Sequence, residues 1–162
     1  MPTEPQSDGN SAPPAATNTT QLPATVSVAW DGDQRFVFGR LDRKTVRVDG
    51  QGVEGPSPVD ALLGSLAACA GIDVVEILAK RRTPANSLKI QVIGERVSTV
   101  PRRLKHVTLH FQIEGAGIDR ENAERAIELS IEKYCSVRSS LREDVPVEWT
   151  LELMTGELVT SD

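Results

Sequence analysis

From Ser57 to Leu78 the chain reads SPVDALLGSLAACAGIDVVEIL, and no other stretch restricts the fold as strongly. Ser57 has the chemistry of an N-cap and Pro58 that of a first helical residue, so a helix starts here. It should run to about Arg81, because Thr83-Pro84-Ala85-Asn86 stops it: the residue before a proline is pushed out of the helical region. On a helical wheel Leu63, Ala67, Ala70, Val74, Ile77 and Leu78 share one side, which must be covered by a core. Gly64, Ser65, Asp73 and Glu76 interrupt the run too often for a lipid-spanning segment. Cys69 stands away from the apolar side, within about 40° of Leu62, Asp73, Glu76 and Lys80. It therefore lies on a boundary face, with acids beside it.

Strand patterns surround this helix. Val26–Trp30 alternates as a half-buried strand does, Asp31-Gly32-Asp33 supplies a turn, and Gln34–Leu41 and Thr45–Val48 complete a meander. After the helix, strands are expected at about 88–97 and 104–113. In the second of these Val107, Leu109, Phe111 and Ile113 share a face and His106, Thr108, His110 and Gln112 the other. A second helix should begin after Asp119 and carry the stripe Ala123, Ala126, Ile127, Ser130, Ile131, Tyr134 and Cys135. A last strand, Val147–Leu153, turns Val147, Trp149, Leu151 and Leu153 inward. The class is α+β, in the order β-β-β-α-β-β-α-β, as a single domain over 26–162.

Residues 1–25 hold Pro, Ser, Thr, Ala and Asn with little to bury, which predicts a flexible arm. That arm has neither the basic nor the apolar region of a secretory signal, so a cytoplasmic protein with no membrane association is expected. The net charge of −5, with Lys and Arg mostly scattered, argues against nucleic acid as a partner. No GxxG clamp of a K-homology module is present either.

Two cysteines in 162 residues do not make a disulfide scaffold; they are small buried hydrophobes or redox-active thiols. A reactive Cys69 needs a cation, because the thiolate is the nucleophile and the helix dipole has faded three turns from Ser57. Arg35, Arg40 and Arg138 are the candidates. An ionised Asp73 close by would work against the thiolate unless it held such an arginine in place. His106 and His110 fall on the outward face of their strand, and no CxxC or helical HxxxH occurs, so no metal site is expected. Trp30 and Trp149 read as core or interface anchors, Glu76 and Lys80 as a surface pair, and Tyr134 as a neighbour of Cys135.

The pairing of SPVDALLGSLAACAGIDVVEIL with EKYCSVRSSL some sixty-five residues later resembles the OsmC/Ohr family of osmotically inducible and organic hydroperoxide resistance proteins. The likeness spans roughly Val26 to Met154 and is strongest to the OsmC-like subgroup. It implies an intertwined homodimer in which two long helices are held between antiparallel sheets, with the paired cysteines near the interface. By this resemblance Cys69 is the peroxidatic residue, Cys135 resolves it as an internal disulfide, and Arg35 stands in for the arginine that steadies the thiolate; Asp73, one turn past the thiol, is expected to hold that arginine or one from the other subunit against Cys69. The substrate implied is an organic hydroperoxide met in oxidative stress, the reductant an external dithiol, and no cofactor is needed. The family's peroxidases carry a glutamate ten positions before the first cysteine; this chain has Val59 there and Asp60 next to it. The alternative is a dimer of the same fold that binds an apolar ligand without catalysis.

Overall fold

The computed structural model describes residues 23–154. Nearly all of the expected arm, 1–25, lies outside the described residues, as do 155–162. Three strands, β1 (Ser27–Trp30), β2 (Arg35–Gly39) and β3 (Val46–Asp49), form an antiparallel meander. The helix α1 (Pro58–Lys80) follows, then β4 (Ser87–Arg96) and β5 (Leu104–Glu114). Next come α2 (Arg120–Leu129), a π-helical turn over Ser130–Tyr134, the short α3 (Ser136–Ser139) and β6 (Val147–Met154).

The order of strands and the α+β class agree with the sequence reading; the second sheet does not conform to an antiparallel pattern throughout. Its order is β4-β5-β6, with β4 and β5 antiparallel but β5 and β6 parallel. The physical reason is the connection: a crossover through helices returns the chain to the same end of the sheet, so the next strand points the same way.

α1 starts as its residues dictate. Ser57 Oγ accepts from the Asp60 backbone N–H at 3.2 Å while Asp60 Oδ2 accepts from the Ser57 N–H at 3.0 Å, a complete capping box with Pro58 inside it. The helix is long and apolar enough to cross a membrane by composition, yet Ala70, Val74 and Leu78 are fully buried in this domain. They pack against Leu109, Phe111 and Ile113 of β5 and Ala123, Ala126 and Ile127 of α2. Small residues let the layers approach: a Cβ at Gly94 of β4 would come within 2.7 Å of a Leu63 methyl. From His106 onward the even-numbered face of β5 turns outward, where His106 sits 3.3 Å from Glu148 and His110 Nδ1 lies 2.7 Å from Thr150 Oγ1. No group of residues suited to a metal ion occurs among the described residues.

The meander departs from expectation in its burial. Cross-strand pairs Val28–Phe38, Trp30–Phe36, Phe36–Val48 and Phe38–Val46 form one apolar face, but only Val48 is buried and Trp30 is 69% exposed. A period-2 pattern reports which residues share a face, not whether anything covers it.

The link from β3 to α1 is organised by Asp49. This buried carboxylate accepts backbone N–H groups of Gln51 (2.9 Å), Val53 (3.1 Å) and Glu54 (3.0 Å). Those bonds, chiefly the one from Glu54, hold its pKa below the usual aspartate value. Because the folded pKa is depressed, the stabilisation is fully present above the unfolded value near pH ~3.9 and is lost as pH falls through the folded value. Thermal unfolding of Asp49→Ala should show a lower Tm at pH 7, and the gap from the parent chain should close on acidification below about pH 4.

Candidate active site

Cys69 on α1 and Cys135 at the start of α3 come together in one cluster. Cys69 is half-buried, Cys135 is buried, and both are free thiols in the same apolar cluster, near enough for Cys69 to influence the Cys135 thiol. Around them lie Leu66, Leu104, Val107 and Val145, with Val59 and Leu141 packed alongside. The Cys135 thiol also faces the Leu66 carbonyl at 4.0 Å, on the turn of α1 just before Cys69.

The second helix does not run smoothly to Cys135 as its stripe predicts. The π-helical turn inserts a residue into the helical repeat, and Cys135 leaves it with extended backbone (φ −68°, ψ 99°) to cap α3. In that position its sulfur accepts the backbone N–H of Arg138 at 3.4 Å. Tyr134 is turned outward by the same break, 49% exposed with Lys133 Nζ 5.3 Å from its ring centre, instead of packing beside Cys135. Burial pushes the Cys135 thiol above the ordinary cysteine value; the Arg138 N–H opposes this, and Cys69 beside it adds to the rise.

Asp73 meets a hydroxyl. Ser130 Oγ lies 3.2 Å from Asp73 Oδ2 and 3.0 Å from the Ala70 carbonyl, and it is fully buried. Its single proton serves one acceptor at a time. The Ser130 carbonyl meanwhile accepts the Cys135 N–H at 2.8 Å. One residue thus ties the turn carrying Cys135 to the helix carrying Cys69. The sequence contained the signal, a serine within an apolar stripe five positions before a cysteine, but periodicity alone assigns such a residue to the stripe. Ser130→Ala should lower stability by about 1–3 kcal/mol, read as a fall in denaturant midpoint, because it leaves Asp73 without this donor.

The arginines lie elsewhere within one chain. Arg35 is bound to Asp33 (3.1 Å) and Glu54 (3.2 Å) on the meander, and Arg40 is exposed in the turn after β2. Arg138 offers its backbone to Cys135, while its side chain lines a cleft with Ile131, Val147 and Trp149. Among the described residues no arginine side chain is hydrogen-bonded to either sulfur. Val59 joins the apolar wall of the cysteine cluster, so no carboxylate projects there, and Asp60 is committed to the capping box.

A family model described as "OsmC-like protein" matches residues 49–150. Protein YhfA of Escherichia coli strain K12 is 32% identical over 130 residues, spanning 80% of this chain and 97% of YhfA. Among solved structures, an OsmC-like protein from Mycoplasma pneumoniae superposes with a TM-score of 0.70 at 18% identity, covering 82% of this chain and 97% of that one. The organic hydroperoxide resistance protein OhrB of Bacillus subtilis gives 0.56 at 17% identity, covering 81% and 98%. At these identities the two structures establish a shared fold.

Proposed function

The chain belongs to the OsmC-like family, and from that premise we propose that it is a thiol-dependent reductase of organic hydroperoxides. The observation that carries this reading is the pairing of a half-buried Cys69 with a buried Cys135 in one cluster, burial pushing the Cys135 thiol above the ordinary cysteine value. Cys69 is the more accessible of the two, which suits it to meet a substrate; Cys135, facing it from the capped start of α3, suits resolution. In the first step the Cys69 thiolate attacks the distal oxygen of ROOH, the O–O bond breaks, and a proton completes the alcohol ROH while Cys69 becomes a sulfenic acid. In the second, the Cys135 sulfur attacks that sulfenic sulfur, forming a disulfide and releasing water. An external dithiol then returns two electrons and two protons, as a reducing cytoplasmic compartment would supply. No cofactor enters either step.

Asp73 and Ser130 fit a positioning role, keeping the two cysteine-bearing segments in register. A cation for Cys69 has to come from a second copy or from a rearrangement of Arg138, since within one chain no arginine side chain among the described residues is hydrogen-bonded to either sulfur. We assign Arg35 that role across a homodimer. Two exposed apolar surfaces support the dimer: the meander face around Val28 and Trp30, and an outer stripe of α1 through Ser65, Ala68, Ile72, Val75 and Ala79. Between them opens a groove of about 420 Å³ lined by Phe36, Phe38, Val48 and Leu62. A monomer rarely leaves so continuous an apolar surface bare. Light scattering on the purified chain should give twice the monomer mass, and Ile72→Asp, 61% exposed and outside the core, should shift it toward one.

Incubation with cumene hydroperoxide followed by mass spectrometry tests the chemistry: loss of two mass units, with Cys69 and Cys135 in one linked peptide, is expected. Both thiols remaining free would sink it. A non-catalytic dimer that binds an apolar ligand is the second reading, favoured by Val59 where peroxidases of the family carry a carboxylate.

A further inference from the structure

A second cavity, of about 290 Å³, opens beside the cysteine cluster under the link between β4 and β5. Its inner wall is apolar: Val59, Leu104, Leu141 and Val145 line it, and the same four side chains pack around Cys135. Its mouth is cationic, with Arg102, Arg103 and Arg142 on the lining. Beside it stands the carboxylate of Asp144, which accepts from Arg142 Nε and Nη2 (2.8 and 3.1 Å) and lies 3.6 Å from Arg103. Among the described residues the Arg102 side chain has no ion pair. Arg142 and Arg103 share the carboxylate of Asp144 and Arg102 adds a third positive charge, a local excess on a chain whose net charge is −5.

An apolar floor below a cationic mouth is complementary to one class of small molecule, an amphiphile with an anionic head. Guanidinium groups match a carboxylate in particular, because their planar fork donates two parallel hydrogen bonds to its two oxygens. The volume is at the lower limit for small-molecule pockets, which sets the tail at medium length and excludes bulky ring systems. We propose that this cavity binds a medium-chain carboxylate, its tail against Leu104 and Val145 and its head on Arg102 and Arg103. The bound chain lies against the outer wall of the cysteine cluster. Occupancy requires no redox step and so stands apart from the peroxidase reading.

The test is calorimetric titration of the full chain, in the assembly it forms in solution, with decanoate, decanol and decyltrimethylammonium. Decanoate should bind saturably, decanol about tenfold more weakly and the cation not measurably, since a hydrogen-bonded charge pair at a partly exposed site contributes roughly that factor. Rising salt should weaken decanoate alone. Arg102→Ala, a change at an exposed side chain outside the core, should bring decanoate down to the affinity of decanol and leave decanol unaltered. Cys69→Ser should bind decanoate as the parent does. Equal binding of decanoate and decanol, no saturable binding of decanoate, or an Arg102→Ala variant with undiminished affinity would each overturn the proposal. None of these outcomes depends on whether the chain reduces hydroperoxides.

Discussion

Cys69→Ser should abolish consumption of cumene hydroperoxide, with turnover falling about 10²-fold or more in a coupled assay with excess dithiol. A serine hydroxyl at this position has no adjacent base: the neighbours are the apolar wall, a buried Cys135 and an Asp73 occupied by Ser130. Cys135→Ser should behave differently. It keeps the attacking sulfur, so one equivalent of hydroperoxide should be consumed before the chain stalls as a sulfenic acid, detectable by trapping with dimedone. The pH dependence of closure carries a sign. Burial raises the Cys135 pKa, so less of its thiolate is present at neutral pH, and disulfide formation should accelerate as pH rises through and beyond the ordinary thiol range. A closure rate that is flat with pH, or a Cys69→Ser variant with parental turnover, would contradict this division of labour.

Phe111→Ala should be the most damaging single change to the fold. Phe111 is 1% exposed at the middle of β5, between Leu109 and Ile113 on the face that receives α1 and α2. Truncating a buried phenylalanine removes its transfer free energy and leaves a cavity, together about 3–5 kcal/mol. For a domain of this size each kcal/mol corresponds to about 2–4 °C, so Tm should fall by roughly 6–20 °C. Thr108→Ala on the outward face of the same strand is the control and should shift Tm little. Similar losses for the two variants would mean that the buried face of β5 has been misread.

Much of the architecture was legible because local chemistry and packing agree. The Ser57–Pro58 start of α1 and the alternation of β5 appear in the structure where the residues place them. The resemblance drawn from the two cysteine-bearing stretches agrees with the matching family model. The pairing of β5 and β6 was not legible: alternation gives each strand its faces, and only the crossover through α2 sets them parallel. Nor could periodicity reveal the π-helical turn, since one inserted residue changes the phase of the stripe without changing its composition.

The sequence by itself determined that Cys69 stands on the boundary face of a long helix and that position 59, ten before it, carries a valine and not a carboxylate. Tertiary structure alone decided what surrounds the thiol. It brought Cys135 beside Cys69, gave Asp73 a buried serine in place of an arginine, and kept Arg35 with Asp33 and Glu54. Helical spacing fixes directions about one axis, whereas the partners of a side chain are set by elements sixty residues away, whose approach depends on how the whole core closes.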